Sequence, residues 1–85
     1  MRVEFDEAKS QINLNKHGIA LDAFKGFDRP PMIRPDDRYD YGEARWQAFG
    51  RIDGVAHMIV YTVRDDAVRL ISFRRVHEKE LQRYE

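Results

Sequence analysis

The sequence predicts an α+β domain in which helices cover an antiparallel meander sheet. Three observations carry that prediction. Residues 44–52 alternate, with Trp46, Ala48, Gly50 and Ile52 on one face and Arg45, Gln47, Phe49 and Arg51 on the other, while residues 55–63 are apolar on both faces as a central strand would be. Between them lies Asp53-Gly54, the pair favoured in two-residue hairpin turns because both central positions need positive φ. Arg64-Asp65-Asp66 then turns the chain into another strand, Ala67–Phe73, and consecutive hairpins set neighbouring strands antiparallel.

The other elements follow in order. Arg2–Phe5 alternates and forms a short strand. Asp6 caps the helix behind it, Glu7 complements the positive helix end, and Gly18 supplies the left-handed stop. Ala8 and Ile12, an i,i+4 pair, begin that helix's buried stripe, and Ile19 packs back onto it. Residues 21–27 make a second, shorter helix presenting Leu21, Phe24 and Phe27, with Gly26 as a weak point. Pro30, Pro31 and Pro35 confine Met32-Ile33-Arg34 to an edge strand, and the polar residues 36–43 form a loop. Residues 76–84 are helical in character, with Leu81 and Tyr84 at an i,i+3 spacing. The order is β-α-α-β-β-β-β-α, with two N-terminal helices and one C-terminal helix.

At 85 residues, 1–85 is one domain. A hydrophobic content of 42% excludes disorder despite 35% charged residues. No apolar run nears the roughly 20 residues of a membrane-spanning helix, and the N-terminus lacks a secretory signal pattern. The absence of cysteine removes disulfides, thiolate catalysis and thiolate metal sites together, which points to the cytoplasm. Fifteen basic and fifteen acidic residues cancel, which argues against bulk attraction to polyanions. Eleven of the fifteen cations are Arg, however, and a guanidinium offers phosphate a two-pronged hydrogen bond.

His17, His57 and His77 are too far apart in sequence for a short-range ligand pair, so no zinc site is expected. His57 falls mid-strand, His77 at a helix start, and His17 just before Gly18, where a cationic ring would complement the helix's negative end. Asp36, Asp37 and Asp40 could hold magnesium, but Asp in a Pro-flanked loop is explained by turn making. No Gly-rich phosphate cradle or nucleophile elbow is present, and no cofactor or metal is expected. The arginines remain. Strand alternation puts Arg69 on one side of the last strand and Arg74 on the other, with Leu70 and Ser72. Arg45 and Arg51 share a face of the first long strand, so guanidiniums from both flanks of the central strand could meet on one phosphate. Metal-free RNA cleavage needs such cations plus a base and an acid, for which His17, Tyr61, Glu78 and Tyr84 are candidates.

Three segments resemble the BrnT-type toxins. They are Phe5-Asp6-x-x-Lys9-x-x-x-Asn13-x-x-Lys16-His17-Gly18-Ile19, Gly42-Glu43-x-Arg45-x-x-x-x-Gly50, and Arg69-x-Ile71-Ser72-x-Arg74-Arg75 followed by Glu78, Glu80 and Tyr84. The resemblance implies a RelE-like fold and the toxin half of a type II toxin–antitoxin pair. It further implies a cytoplasmic, metal-independent endoribonuclease that cuts mRNA, free or on the ribosome, and arrests translation and growth. The implied partner is a BrnA-type ribbon-helix-helix antitoxin, through which alone the complex meets operator DNA; no membrane is involved. Carried onto this chain, the resemblance makes Arg74 and Arg45 the groups that stabilise transition-state charge and His17 and Tyr84 the base or acid. Lys16, Arg51, Arg69 and Arg75 contact RNA. Two departures stand out: such toxins are often basic whereas this chain is neutral, and position 20 is Ala where a Ser or Thr helix cap is common. Two other functions compete. One is a non-catalytic corepressor module whose arginines meet an acidic antitoxin. The other is an RNA-binding domain that stacks bases on Trp46, Phe49 and Tyr61.

Overall fold

Two tight turns organise the sheet. In the computed structural model, which describes residues 2–85, Asp53 and Gly54 both take positive φ (51° and 78°), as do Asp65 and Asp66 (52° and 62°). These turns match the twist of the strands they join. They link β3 (Trp46–Ile52), β4 (Val55–Arg64) and β5 (Ala67–Arg75) as successive antiparallel neighbours. β2 (Met32–Pro35) is the outer neighbour of β3. Asp28 ties the segment before β2 to the first hairpin, because its carboxylate accepts from the amides of Asp53 and Gly54, each at 2.9 Å. Those two amides hold the Asp28 carboxyl below its ordinary range.

The expected meander needs one correction. β1 (Arg2–Phe5) runs parallel to β5 along its free edge, pairing Arg2 with Ala67 through Phe5 with Leu70, so the sheet is mixed, in the order β1-β5-β4-β3-β2. Hairpin chemistry is local and fixes only strands joined by short turns, whereas the partner of β1 lies 65 residues away along the chain. The helical elements also differ. The expected second helix is a single 3-10 turn, Leu21–Ala23, because Ala20 offers no side-chain cap and Phe24 is already extended. The C-terminal helix, α2, is confined to Glu78–Gln82.

The first helix, α1 (Glu7–His17), is capped as expected. Asp6 accepts from the amides of Ala8 (2.8 Å) and Lys9 (3.2 Å), and Gly18 ends the helix at φ 77°. Its buried face is not the expected one. Ile12 is 62% exposed and Ala8 is also exposed, whereas Ser10 and Asn13 are buried. The Asn13 amide donates to the carbonyls of Phe73 and Ile19, each at 2.7 Å, and its oxygen accepts from the Phe73 amide at 3.1 Å. Ser10 accepts from the Leu21 amide at 3.0 Å. β1 is too short to cover all of β5, and Asn13 supplies the missing strand's hydrogen bonds where β1 ends.

Side chains of β4 feed two cores, one on each face. Leu21, Ala48, Ile59, Leu70 and Phe73 pack on the α1 side, with Phe5, Ile19, Phe24 and Phe27 around them. Gly50 belongs to this face, since a Cβ there would stand 2.6 Å from the Phe27 ring. Phe49, Ala56, Met58, Val60 and Leu81 pack on the α2 side, joined by Ile71 and Tyr84.

Candidate active site

A bulge decides which arginines share a face. Val60 pairs with Ser72 but Tyr61 pairs with Leu70, so Ile71 is an extra residue in β5. One inserted residue reverses the alternation beyond it. Arg69 (opposite Thr62), Ser72 (opposite Val60) and Arg74 (opposite Met58) therefore lie on the same, α2-bearing face, while Leu70 lies on the other. The expected separation of Arg69 from Arg74 is thus overturned.

Sharing a face does not gather the arginines. Arg69 faces Glu4 (3.4 Å) and Asp6 (4.0 Å) beside β1. Arg45 is bound to Glu43 at 3.1 Å and lies 4.0 Å over the Tyr41 ring. Arg51, six residues further along β3 and about 20 Å away at strand rise, binds Glu78 and Glu85, the latter at 2.8 Å. Arg64 binds the other oxygen of Glu43 at 3.2 Å. Arg45 and Arg64 hold Glu43, and Arg51 holds Glu78, below the ordinary carboxylate range. Arg75 pairs with His57 across the strands on the α1-bearing face and lines a different cleft with Gly18 and Ile19. The single convergence of guanidiniums expected from spacing is therefore absent. Strand rise spreads these residues along the sheet, and local carboxylates hold most of them.

A smaller set does meet. On the α2 face a groove of about 230 Å³ is lined by Arg34, Gln47, Phe49, Arg74, Glu80 and Tyr84, among others. Arg34 comes from edge strand β2, opposite Gln47, and donates to the Tyr84 hydroxyl at 2.6 Å. The Tyr84 ring is fixed by stacking on Phe49, with centroids 4.5 Å apart. Leu81, 1% exposed, anchors the helix that leads to it. Arg74 makes only a loose ion pair, 3.7 Å from Glu80. Asp36, Asp37 and Arg38 line the groove as well; Asp36 engages Arg38 through both oxygens (2.7 and 2.9 Å), and that pairing holds its carboxyl below the usual range. Asp36 is thus committed to a cation within its own loop, as turn making would have it.

Tyr84 and Arg74, both expected at the site, line this groove; Arg45, Arg51, Arg69, Arg75, His17 and Lys16 do not. His17 ends α1 within electrostatic reach of Arg74. Burial first, then the charges of Lys16 and Arg74, lower its pKa below the ordinary 6.5. The imidazole is therefore biased towards its neutral form, against the cationic helix-end role expected of it. Sequence reasoning missed Arg34 and Gln47. Arg34 sits between prolines in a strand notable only for being an edge, and only the β2–β3 register shows that it faces Tyr84.

No helix among the described residues is long and apolar enough to cross a membrane. A protein-family model described as the ribonuclease toxin, BrnT, of type II toxin–antitoxin systems matches residues 5–80. No curated protein and no solved structure matches the chain.

Proposed function

The chain belongs to the BrnT family of ribonuclease toxins of type II toxin–antitoxin systems, and from that premise we propose that it cuts mRNA without a metal ion, in the groove on the α2 face. The observation that carries this reading is that Arg34 and Arg74 line one groove with the Tyr84 phenol and the Glu80 carboxylate, Asp36 there being taken by Arg38, whereas Arg45, Arg51, Arg64 and Arg69 are engaged by acids elsewhere.

The chemistry follows from the groups. Arg74 and Arg34 bind the non-bridging oxygens of a phosphodiester and offset the charge that builds there in the transition state. The ribose 2′ oxygen attacks phosphorus as its proton passes to a base, for which Glu80, the groove carboxylate beside Arg74, is the first candidate and His17, outside the groove, the second. The bond from phosphorus to the 5′ oxygen breaks, and that oxygen takes a proton from an acid. Tyr84 suits the acid role, because its oxygen accepts from Arg34 and leaves its own hydrogen free to donate. The products are a 2′,3′-cyclic phosphate and a 5′-hydroxyl end. Arg45 contributes through the Glu43–Tyr41 cluster rather than at the phosphate, Arg51 and Arg69 stay bound to their acids, and Lys16 and Arg75 lie outside the groove. The partner in this reading is a BrnA-type ribbon-helix-helix antitoxin that blocks the groove in the cytoplasm and carries the toxin to operator DNA.

The test is RNA cleavage in the presence of EDTA by the native protein, Arg74→Ala, Arg34→Ala and Arg75→Ala, with circular dichroism to confirm folding. Loss of one charge-stabilising donor lowers the rate by about 10²- to 10³-fold. That loss is expected for Arg74→Ala and Arg34→Ala, with Arg75→Ala within a few-fold of native. Undiminished cleavage by Arg74→Ala removes the assigned site, and abolition of native cleavage by EDTA removes the metal-free mechanism.

A further inference from the structure

A second cavity adjoins the groove just described. It measures about 540 Å³, within the roughly 300–1,000 Å³ typical of small-molecule sites. It lies over β3, between the segment leading into β2 and the C-terminal end of α2. Its walls include Pro31 and Met32 on one side and Leu81 and Tyr84 on the other, with Phe49 in the floor and Arg29 at its margin. Phe49 and Tyr84 line both this cavity and the phosphate groove, so their stacked pair forms a shared partition. The carboxylates here are already engaged: Asp28 accepts from two backbone amides, and Glu85 is bound by Arg51.

We propose that this cavity is a nucleobase subsite, holding a base of the nucleotide whose phosphate occupies the Arg34–Arg74 groove. The proposal rests on the ribonuclease reading of that groove and adds where the substrate's base goes. A space lined by both apolar and polar groups beside a phosphate site fits a base, whose ring faces gain from contact with side chains such as Pro31, Met32 and Tyr84 and whose edges want placed polar partners. The Arg29 guanidinium is an exposed cation at the margin, of the right sign for the strand leaving the cavity. The occupant is thus single-stranded RNA, since a base within a duplex presents no free ring face. Met32, 46% exposed on the edge strand, is the wall that can change without loss of the core.

The experiment compares two probes that cannot be cleaved: a 2′-O-methyl dinucleotide, and the same phosphodiester lacking one base. Base stacking on protein aromatics contributes about 1–3 kcal/mol, so the complete dinucleotide is expected to bind the native protein on the order of 5- to 150-fold more tightly. Met32→Ala combined with Pro31→Ala is expected to lower that ratio several-fold, with Tyr84 still in place, while leaving affinity for the abasic probe within about two-fold. Arg74→Ala is expected to weaken both probes and leave the ratio unchanged. Equal native affinity for the two probes, or a ratio untouched by the double substitution, overturns the subsite and leaves the cavity to a protein partner. Native binding of the abasic probe that is indifferent to Arg74→Ala overturns the phosphate groove itself, and the subsite with it.

Discussion

Replacing Asn13 with Ala is expected to be the most damaging single change on α1, although the residue is polar and Ile12 beside it is not. Asn13 is 5% exposed and makes three hydrogen bonds, to both backbone groups of Phe73 and to the Ile19 carbonyl. Truncation leaves two buried backbone groups of Phe73 and the part-buried Ile19 carbonyl without these partners. At about 1 kcal/mol for each net hydrogen bond, and more where water cannot enter, the loss is about 3 kcal/mol or greater. For a domain of this size a change of 1 kcal/mol moves the melting temperature by about 4–8 °C, so a fall of about 12–24 °C is expected. Urea unfolding followed by circular dichroism measures the loss, and amide exchange at Phe73 locates it. Ile12→Ala is the control: at 62% exposure it is expected to stay within about 0.5 kcal/mol of native. An Asn13→Ala loss below 1 kcal/mol, or an Ile12→Ala loss above it, refutes the claim that α1 is held to the sheet by polar contacts.

Gly50→Ala forces a methyl group into the Phe27 ring and is expected to cost about 1–3 kcal/mol in urea unfolding, as overpacking does. Leu81→Ala opens a cavity beneath α2 and is expected to lower stability by about 2–5 kcal/mol; changes in Tyr84 fluorescence would then report that the stack on Phe49 has loosened. The pH dependence of His17 has a definite sign. Its folded pKa lies below the unfolded 6.5, so the unfolded chain binds the proton more readily and stability falls as pH drops through 6.5 towards the folded value. His17→Gln is expected to flatten that part of the stability curve, measured as melting temperature against pH, and an unchanged slope contradicts it.

What the sequence revealed was local. The Asp6 cap, the Gly18 stop, the two Asp-containing turns and the double-sided β4 each depend on residues within a few positions of one another, and each stands where expected. What escaped it was set at a distance or by a single inserted residue. Nothing in Arg2–Phe5 names β5 as its partner. The bulge at Ile71 carries no glycine to announce it, yet it moves Arg69 to the face of Arg74. The helical spacing of Ala8 and Ile12 pointed to an apolar stripe, but α1 faces the unpaired end of the β5 edge, where Asn13 answers the Phe73 amide and carbonyl, and the 3-10 turn, where Ser10 takes the Leu21 amide. Arg34 became a site residue only once β2 was seen to align with Gln47 of β3.

The neutral charge of the chain then takes on a different meaning. A net charge of zero gives no bulk attraction to RNA, but it averages over arginines in unlike circumstances. Arg45, Arg51, Arg64 and Arg69 are each matched by an acid brought to them by the fold. Arg34 hydrogen-bonds to a neutral phenol, and Arg74 is only loosely met by Glu80. The guanidiniums left for phosphate in the groove are therefore Arg34 and Arg74, and in this reading attraction to RNA arises chiefly from one or two phosphate contacts there rather than from the whole surface. For single strands the logarithm of affinity falls with the logarithm of salt by about 0.7 per phosphate neutralised. A slope of about −0.7 to −1.4 is thus expected for RNA binding. A markedly steeper slope would mean that the paired arginines release their carboxylates to bind RNA, and the division between structural and functional guanidiniums would fail.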